Sequence, residues 1–321
     1  MSPRALVTGG AGFIGSHVTD LFLANGYDVT ILDDFSSGRE ENVNPGATVV
    51  RDSIASPAAA ELVRTGRFDV IAHLAAQIDV RKSVLDPSWD AAVNIGGSLN
   101  LLEAVRQSGH RTRFVFSSSG GAQYGDLVEI PTVEGAQKDP LSPYGIAKLS
   151  VEYYMSYFSR VHGLDTVALR YANVYGPRQD PHGEAGVVAI FCQRVLSDTP
   201  MTAYGDGEQT RDYVYVGDVA RANLLAATSA LPAPGRLDDR GFNIGTGIPT
   251  SVVTLASTLK AAAGSSLALH HAPERAGEQR RSCIAYTKAD EVLGWTPLMS
   301  LDAGLAATLE YFRQAQAHTP S

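Results

Sequence analysis

The sequence predicts an α/β fold, a doubly wound parallel sheet with a smaller C-terminal lobe. Two observations predict it. Short β-branched runs at Ala5–Thr8, Val29–Leu32, Thr48–Arg51, Val70–Leu74, Phe114–Ser117 and Val167–Arg170 alternate with segments long enough for a helix, the rhythm of a parallel sheet. These runs are nearly continuous in apolar character, as strands covered by helices on both faces must be. Composition agrees: 44% hydrophobic and 19% charged residues in a chain of 321 are ordinary globular values.

Other classes are disfavoured. The formal net charge is -8, and no Lys/Arg stripe is present for a phosphate backbone, so no nucleic-acid partner is expected. Two cysteines, Cys192 and Cys283, make neither a disulfide framework nor a zinc site, so no metal is expected. The first strand begins almost at Met1, and no run of about eighteen apolar residues occurs, so neither a secretory leader nor a membrane span is expected. A cytoplasmic setting follows.

Directly after the first strand, Thr8-Gly9-Gly10-Ala11-Gly12-Phe13-Ile14-Gly15 precedes an amphipathic helix expected from Ser16 to Asn25. Glycine spacing of this kind lets a pyrophosphate rest on a helix N-terminus, where free N–H groups and the helix dipole favour an anion. The second strand ends in Asp33-Asp34, whose acids can accept hydrogen bonds from the adenosine ribose and would repel a 2′-phosphate. NAD is therefore the expected cofactor, with nearby Arg39 tempering the preference over NADP. Asp52, beyond the third strand, is a candidate adenine contact or equally a solvated turn acid. The small residues of Leu74-Ala75-Ala76 let a cofactor pass close to backbone, and His73 is read as packing.

The chain divides into a Rossmann-type NAD-binding domain over residues 1–172 and a lobe over 173–321. The Gly/Pro-rich stretch Tyr175–Gly183 breaks the rhythm and opens the second lobe. Returns to the first domain are expected near 214–228, with a helix from about Gly217, and near 240–246, with a short strand at Phe242–Ile244.

Pro143 starts a helix expected to run towards His162, and Tyr144 and Lys148 lie on one face of it. At about 4 Å and an effective dielectric near 20, the ammonium would favour the phenolate by about 4 kcal/mol, roughly three pKa units, bringing the phenol towards neutrality. Thirteen tyrosines make that spacing weak on its own. The fifth strand strengthens it by delivering Ser117-Ser118-Ser119 to the carboxyl edge of the sheet, where open α/β sheets bind ligands.

With these motifs on the page, the chain resembles the extended short-chain dehydrogenase/reductases, in the NAD-dependent epimerase/dehydratase family. Further matches are Asn94 in Val93-Asn94-Ile95-Gly96, the run Leu169–Pro177, Tyr204–Gly207, Arg211-Asp212-Tyr213 and Phe242–Gly247. Together they are most similar to UDP-glucose 4-epimerases. The resemblance implies that Tyr144 is the base for a sugar 4′-hydroxyl, Lys148 its electrostatic partner and nicotinamide-ribose ligand, and Ser119 the third catalytic group, with Ser118 as the alternative. It implies cofactor contacts from Gly9, Gly12, Phe13, Ile14, Gly15, Asp33, Asp34, Asp52, Ser53, Leu74, Ala75, Ala76, Asn94, Ser117, Tyr144, Lys148 and Tyr171. It implies substrate contacts from Ser119, Asn173, Val187, Ala203, Tyr204, Arg211, Arg275 and Glu278, the two arginines neutralising a diphosphate.

The expected reaction is NAD-dependent 4-epimerisation of a UDP-hexose through a transient 4-keto sugar. Gly120-Gly121 stand where dehydratases and decarboxylases of the family carry acids, which disfavours elimination and decarboxylation. Epimerisation of UDP-N-acetylglucosamine, suggested by the small Ser282, or of UDP-glucuronate stays open, as does a non-catalytic NAD-binding role. The family commonly dimerises through two helices per subunit, here near Trp89–Gln107 and Tyr144–His162, with Leu99, Leu102, Val105, Tyr153 and Phe158 as candidate contacts or core.

Overall fold

The computed structural model describes residues 2–181, 186–274 and 279–317. The first half runs β1 (Arg4–Thr8), α1 (Phe13–Ala24), β2 (Asp28–Asp33), β3 (Thr48–Arg51), α2 (Pro57–Gly66), β4 (Val70–His73), α3 (Val80–Leu85), α4 (Pro87–Ala91), a π-helical turn Ala92–Gly96, α5 (Gly97–Ser108), β5 (Arg113–Ser119), α6 (Gly120–Gln123), α7 (Pro143–His162), β6 (Asp165–Tyr171) and β7 (Asn173–Tyr175). There follow α8 (Val187–Leu196), β8 (Met201–Tyr204), β9 (Thr210–Tyr215), α9 (Val216–Thr228), β10 (Gly241–Ile244), β11 (Pro249–Ser251), α10 (Val252–Ala263), β12 (Leu269–Ala272), α11 (Thr287–Leu293) and α12 (Leu301–Ala317).

Seven strands form one sheet in the order β10-β6-β5-β4-β1-β2-β3, every pair parallel. Strand order reverses between β1 and β4, the kind of switch point at whose carboxyl edge open α/β sheets bind ligands. Side chains alternate across the sheet because the strand period is two. Val7, Val167 and Phe242 thus pack with Phe22 of α1 and Val219 of α9, while Leu6, Phe114 and Ala168 pack with Leu101 of α5 and Met155 of α7. Both faces are covered, which explains the continuous apolar runs.

Beyond β6 the chain builds two small sheets, β11-β9-β7 and β12-β8. Around them Tyr175, Val188, Phe191, Met201, Leu255 and Leu305 form a separate core. Between these elements α9 lies in the main core and β10 extends the main sheet beside β6.

One expectation is corrected and one open alternative is settled. Helix α1 begins at Phe13 rather than Ser16, because extended Gly12 serves as its N-cap. Leu102, Val105 and Phe158 are intramolecular core, so they offer nothing to a second copy. The outward face of α7 carries Ile146, Tyr153, Tyr154, Tyr157 and Val161 instead.

Candidate active site

The glycine loop comes first. A Cβ on Gly15 would lie 2.0 Å from the Gly9 carbonyl oxygen, and one on Gly9 would lie 2.8 Å from Ala75 N. The turn is therefore as tight as backbone allows, and it abuts the Leu74-Ala75 segment after β4. Thr8 Oγ1 accepts from the N–H groups of Leu74 and Ala75, both at 3.1 Å, tying the two segments together. No side chain caps α1, so Phe13, Ile14 and Gly15 start a helix whose end is shaped for an anionic ligand. Gly15→Ala is expected to weaken NAD binding by at least about tenfold while far-ultraviolet circular dichroism stays unchanged, because the added methyl must displace backbone. Equilibrium NAD titration checks this.

Asp33 ends β2 with its carboxylate 7% exposed. It accepts from Ala11 N at 2.9 Å and Phe35 N at 2.8 Å, which aims the carboxylate across the mouth of the glycine loop. Burial raises its pKa and these two bonds oppose the rise. Arg39 pairs with Asp180 at 3.0 Å and Glu41 at 3.2 Å. The basic group that tempered the choice of NAD is therefore held by two acids. Asp34 is exposed and accepts from Ser36 N. Asp52 accepts from Ser53 N and Ser56 Oγ, each at 2.7 Å, so both oxygens shape the turn that leads into α2.

Asn94 and Tyr171 both have their polar side-chain atoms bound to protein. The Asn94 amide donates to Gln77 O and Asp90 Oδ1, both at 3.0 Å, and accepts from Gln77 N at 2.9 Å. Its side chain is committed to holding the segment after β4. Tyr171 is buried in the core, with its hydroxyl accepting from Asn223 Nδ2 at 2.8 Å. His73 is buried between Thr8 Oγ1 at 2.7 Å and Ser98 Oγ at 2.9 Å, and burial pulls its pKa down to about 3, leaving a neutral core histidine.

Helix α7 delivers the central pair. Ser142 caps it by accepting from Gly145 N, with Pro143 in the first turn. A Cβ on residue 145 would meet the Ala122 carbonyl oxygen at 2.4 Å. Glycine between Tyr144 and Ile146 thus lets α7 press against α6, the short helix that Ser119 opens. Lys148 is 4% exposed; its Nζ donates to Ser117 O at 2.8 Å and stands 5.7 Å from the centre of the Tyr144 ring.

Electrostatics correct the expected proximity effect. Burial pushes the Tyr144 phenol upward, with the Asp90 carboxylate adding to the rise. Burial pulls Lys148 down to about 8, against the raising influence of Asp90 and Glu152. Desolvation disfavours the charged form of both partners, so the lysine does not bring the phenol towards neutrality in the protein alone.

The serine run separates by alternation. Ser118 is 3% exposed, donates to Glu152 Oε1 at 2.6 Å and accepts from Gln123 Nε2 at 2.7 Å. Ser117 and Ser119 are half-buried on the other face of β5. Beyond them, a Cβ on Gly121 would lie 3.8 Å from both Asn173 Oδ1 and Ser282 Oγ. Glycine, amide and small hydroxyl therefore converge on one space, without a carboxylate among them.

Sequence reasoning missed the support under this edge. Arg170 is fully buried and grips Glu152 through Nε at 3.1 Å and Nη2 at 2.6 Å. It also reaches Asp238 at 2.8 Å and the Tyr124 hydroxyl at 3.1 Å. The only sequence signal was a charge inside an apolar strand run and another inside α7. Val187 opens α8, while Ala203 and Tyr204 end β8. Arg211 lies on β9, its Nη1 donating to Thr210 O at 2.9 Å. Arg275 and Glu278 lie outside the described residues.

Elsewhere, a cavity of about 730 Å³ opens at the amino edge of the sheet near Arg113, Asp165 and Arg240. Both arginines are already bound to Asp165 at 2.9 Å, and Lys148 lies by Ser117 at the other end of β5. Among the described residues no cluster of three or more His, Cys, Asp or Glu is disposed for a metal ion, and no helix is long and apolar enough to cross a membrane.

Comparison with known proteins adds to this geometry. The sequence profile of the NAD dependent epimerase/dehydratase family matches residues 5–245. The chain is 44% identical over 315 residues to the UDP-glucose 4-epimerase of Mycolicibacterium smegmatis, spanning 97% of this chain and 98% of that one. It is similar to the Thermotoga maritima UDP-glucose 4-epimerase solved with UDP-glucose, at 50% identity and a TM-score of 0.92, covering 98% and 99% of the two chains. A Thermus thermophilus UDP-glucose 4-epimerase in complex with NAD is 43% identical at a TM-score of 0.87, with 97% and 99% covered.

Proposed function

Because the chain belongs to the NAD dependent epimerase/dehydratase family, we propose that it is an NAD-dependent isomerase interconverting UDP-glucose and UDP-galactose through a transient 4-keto sugar. One observation carries the reading. Half-buried Tyr144 and buried Lys148 lie one helical turn apart on α7, which packs against the short helix holding Gly121, itself beside Asn173 and Ser282.

The residues present suit NAD: a loop with no room for a Cβ, an uncapped helix start and the Asp33 carboxylate. Gly9, Gly12 and Gly15 would hold the pyrophosphate, Asp33 the adenosine ribose, and Lys148 the nicotinamide ribose. When bound, NAD supplies a hydride acceptor for C4 and a positive ring that favours the phenolate. Tyr144 takes the proton from the C4 hydroxyl and returns it after the sugar turns. Lys148 keeps a positive charge beside the phenol, and Ser119 hydrogen-bonds the C4 oxygen, since Ser118 is committed to Glu152. Arg211 binds the diphosphate, with Arg275 proposed beside it. Asn173, Val187, Ala203, Tyr204 and Glu278 contact the rest of the nucleotide sugar. Gripping the UDP end leaves the hexose free to rotate.

Incubation of the purified protein with UDP-galactose and saturating NAD, without reductant, tests the reading. UDP-glucose is expected with no accumulation of reduced cofactor; absence of UDP-glucose refutes it. Such an activity belongs to cytoplasmic galactose metabolism. Pairing of two copies through α7 is supported by Tyr153, Tyr157 and Val161, exposed by 57%, 44% and 62%, and light scattering checks it.

A second reading, turnover of UDP-N-acetylglucosamine, is favoured by the small Ser282 beside Gly121. Ser282→Tyr is expected to lower turnover of the N-acetyl sugar by about tenfold relative to UDP-glucose, since it fills the space an acetamido group requires. Competition between the two sugars, read by mass spectrometry, measures the ratio.

A further inference from the structure

Asp90 sits on α4, outside every motif that carries the reaction, and is completely buried. Its Oδ1 accepts from Gln77 Nε2 at 2.9 Å and from Asn94 Nδ2 at 3.0 Å. Its Oδ2 is equally buried and has no hydrogen-bond partner. An isolated buried carboxylate is costly unless a positive charge compensates it. The compensating charge is within Coulomb reach: α4 packs on α7, and Asp90 interacts electrostatically with both Tyr144 and Lys148.

The other charged groups around the pair are accounted for. Glu152, one turn along α7, is neutralised by Arg170. His73 on β4 is held neutral between two hydroxyls. On α3, Arg81 and Lys82 are exposed, and Asp79 is spent capping the helix. Strand β5 and helix α6 bring no charged side chain to this face. Lys148 itself donates to a neutral carbonyl, Ser117 O. Among these groups Asp90 is the anion with no ion pair of its own, leaving Lys148 as its counter-charge.

We propose that Asp90 is the buried counter-charge of the Tyr144–Lys148 pair, a positioning residue that keeps Lys148 cationic and balances the charge of the site while the phenol gains and loses its proton. The proposal rests on the reading of Tyr144 and Lys148 as the catalytic pair. It balances simply. With the phenolate and an oxidised nicotinamide, two negative charges, Asp90 and Tyr144, face two positive ones. With the phenol and a reduced ring, Asp90 faces Lys148 alone. The site is neutral in both states, so the proton and hydride move without leaving an unpaired buried charge.

Asp90→Asn tests it, because the amide keeps the shape and removes the charge. Tyrosinate absorbance, taken as the difference between Asp90→Asn and Asp90→Asn/Tyr144→Phe and compared with the wild-type difference against Tyr144→Phe, is expected to place the Tyr144 titration about one pH unit lower. Both limbs of the pH–rate profile should move the same way, the acid limb with the phenol and the alkaline limb with Lys148. If Asp90→Asn does not fold, Asp90→Ser makes the same charge change and leaves room for water on the two amide donors. A folded variant in which neither the tyrosinate midpoint nor either limb moves overturns the proposal, as does failure of both variants to fold. Retention of epimerase activity by Tyr144→Phe would instead overturn the catalytic reading, which separates the two failures.

Discussion

Tyr144→Phe lowers kcat by about 10³-fold with KM for the nucleotide sugar within about threefold of wild type, since general acid–base catalysis by a positioned group contributes about 10²–10⁴-fold. Phenylalanine keeps the ring and its packing beside Lys148, so the change removes only the hydroxyl. The structure sharpens the expectation, because burial and Asp90 hold the phenol protonated in the protein alone. On the proposed mechanism, the positive nicotinamide ring and Lys148 together stabilise the phenolate. Steady-state kinetics on the NAD-saturated enzyme measures the loss, and a fall of less than tenfold would remove Tyr144 from the role of base.

Arg170→Met destabilises the fold by about 3–5 kcal/mol, the cost of breaking a buried ion pair from one side. Arg170 joins Glu152 of α7 to Tyr124 and to Asp238, so its loss strands the Glu152 carboxylate behind the serine edge. Double replacement with Glu152→Gln should recover part of the loss, because the stranded charge disappears with it. Chemical denaturation of the single and double variants gives both numbers. A single variant within about 1 kcal/mol of wild type would mean that the network is structurally idle.

What the sequence made legible follows from locality. Six strands, the glycine loop, the acidic end of β2 and the Tyr144/Lys148 spacing are short-range patterns, and each reappears in the fold with shifts of a few residues. Asn94 and Tyr171 were located, yet both turn their polar atoms to the protein rather than outward. Motif position fixes where a residue lies, whereas hydrogen-bond partners from distant segments decide which way it faces. The lowered tyrosine expected from spacing failed for a related reason. Distance to a cation is readable from helical period, but desolvation depends on everything packed around the pair. Asp90 and the Glu152–Arg170 network were illegible because most of their partners are 13 to 68 residues away in sequence. Ser118 and Ser119 were separable only once strand alternation was anchored by Glu152.

Reversible oxidation at C4 is most directly tested by the fate of the hydrogen on that carbon. UDP-galactose carrying deuterium at C4 is incubated with the NAD-loaded enzyme in ordinary water, and the UDP-glucose formed is analysed by mass spectrometry. UDP-glucose that retains the deuterium at C4 is expected, because the hydride leaves and returns without meeting solvent. Product in which the deuterium has exchanged for solvent hydrogen would contradict it.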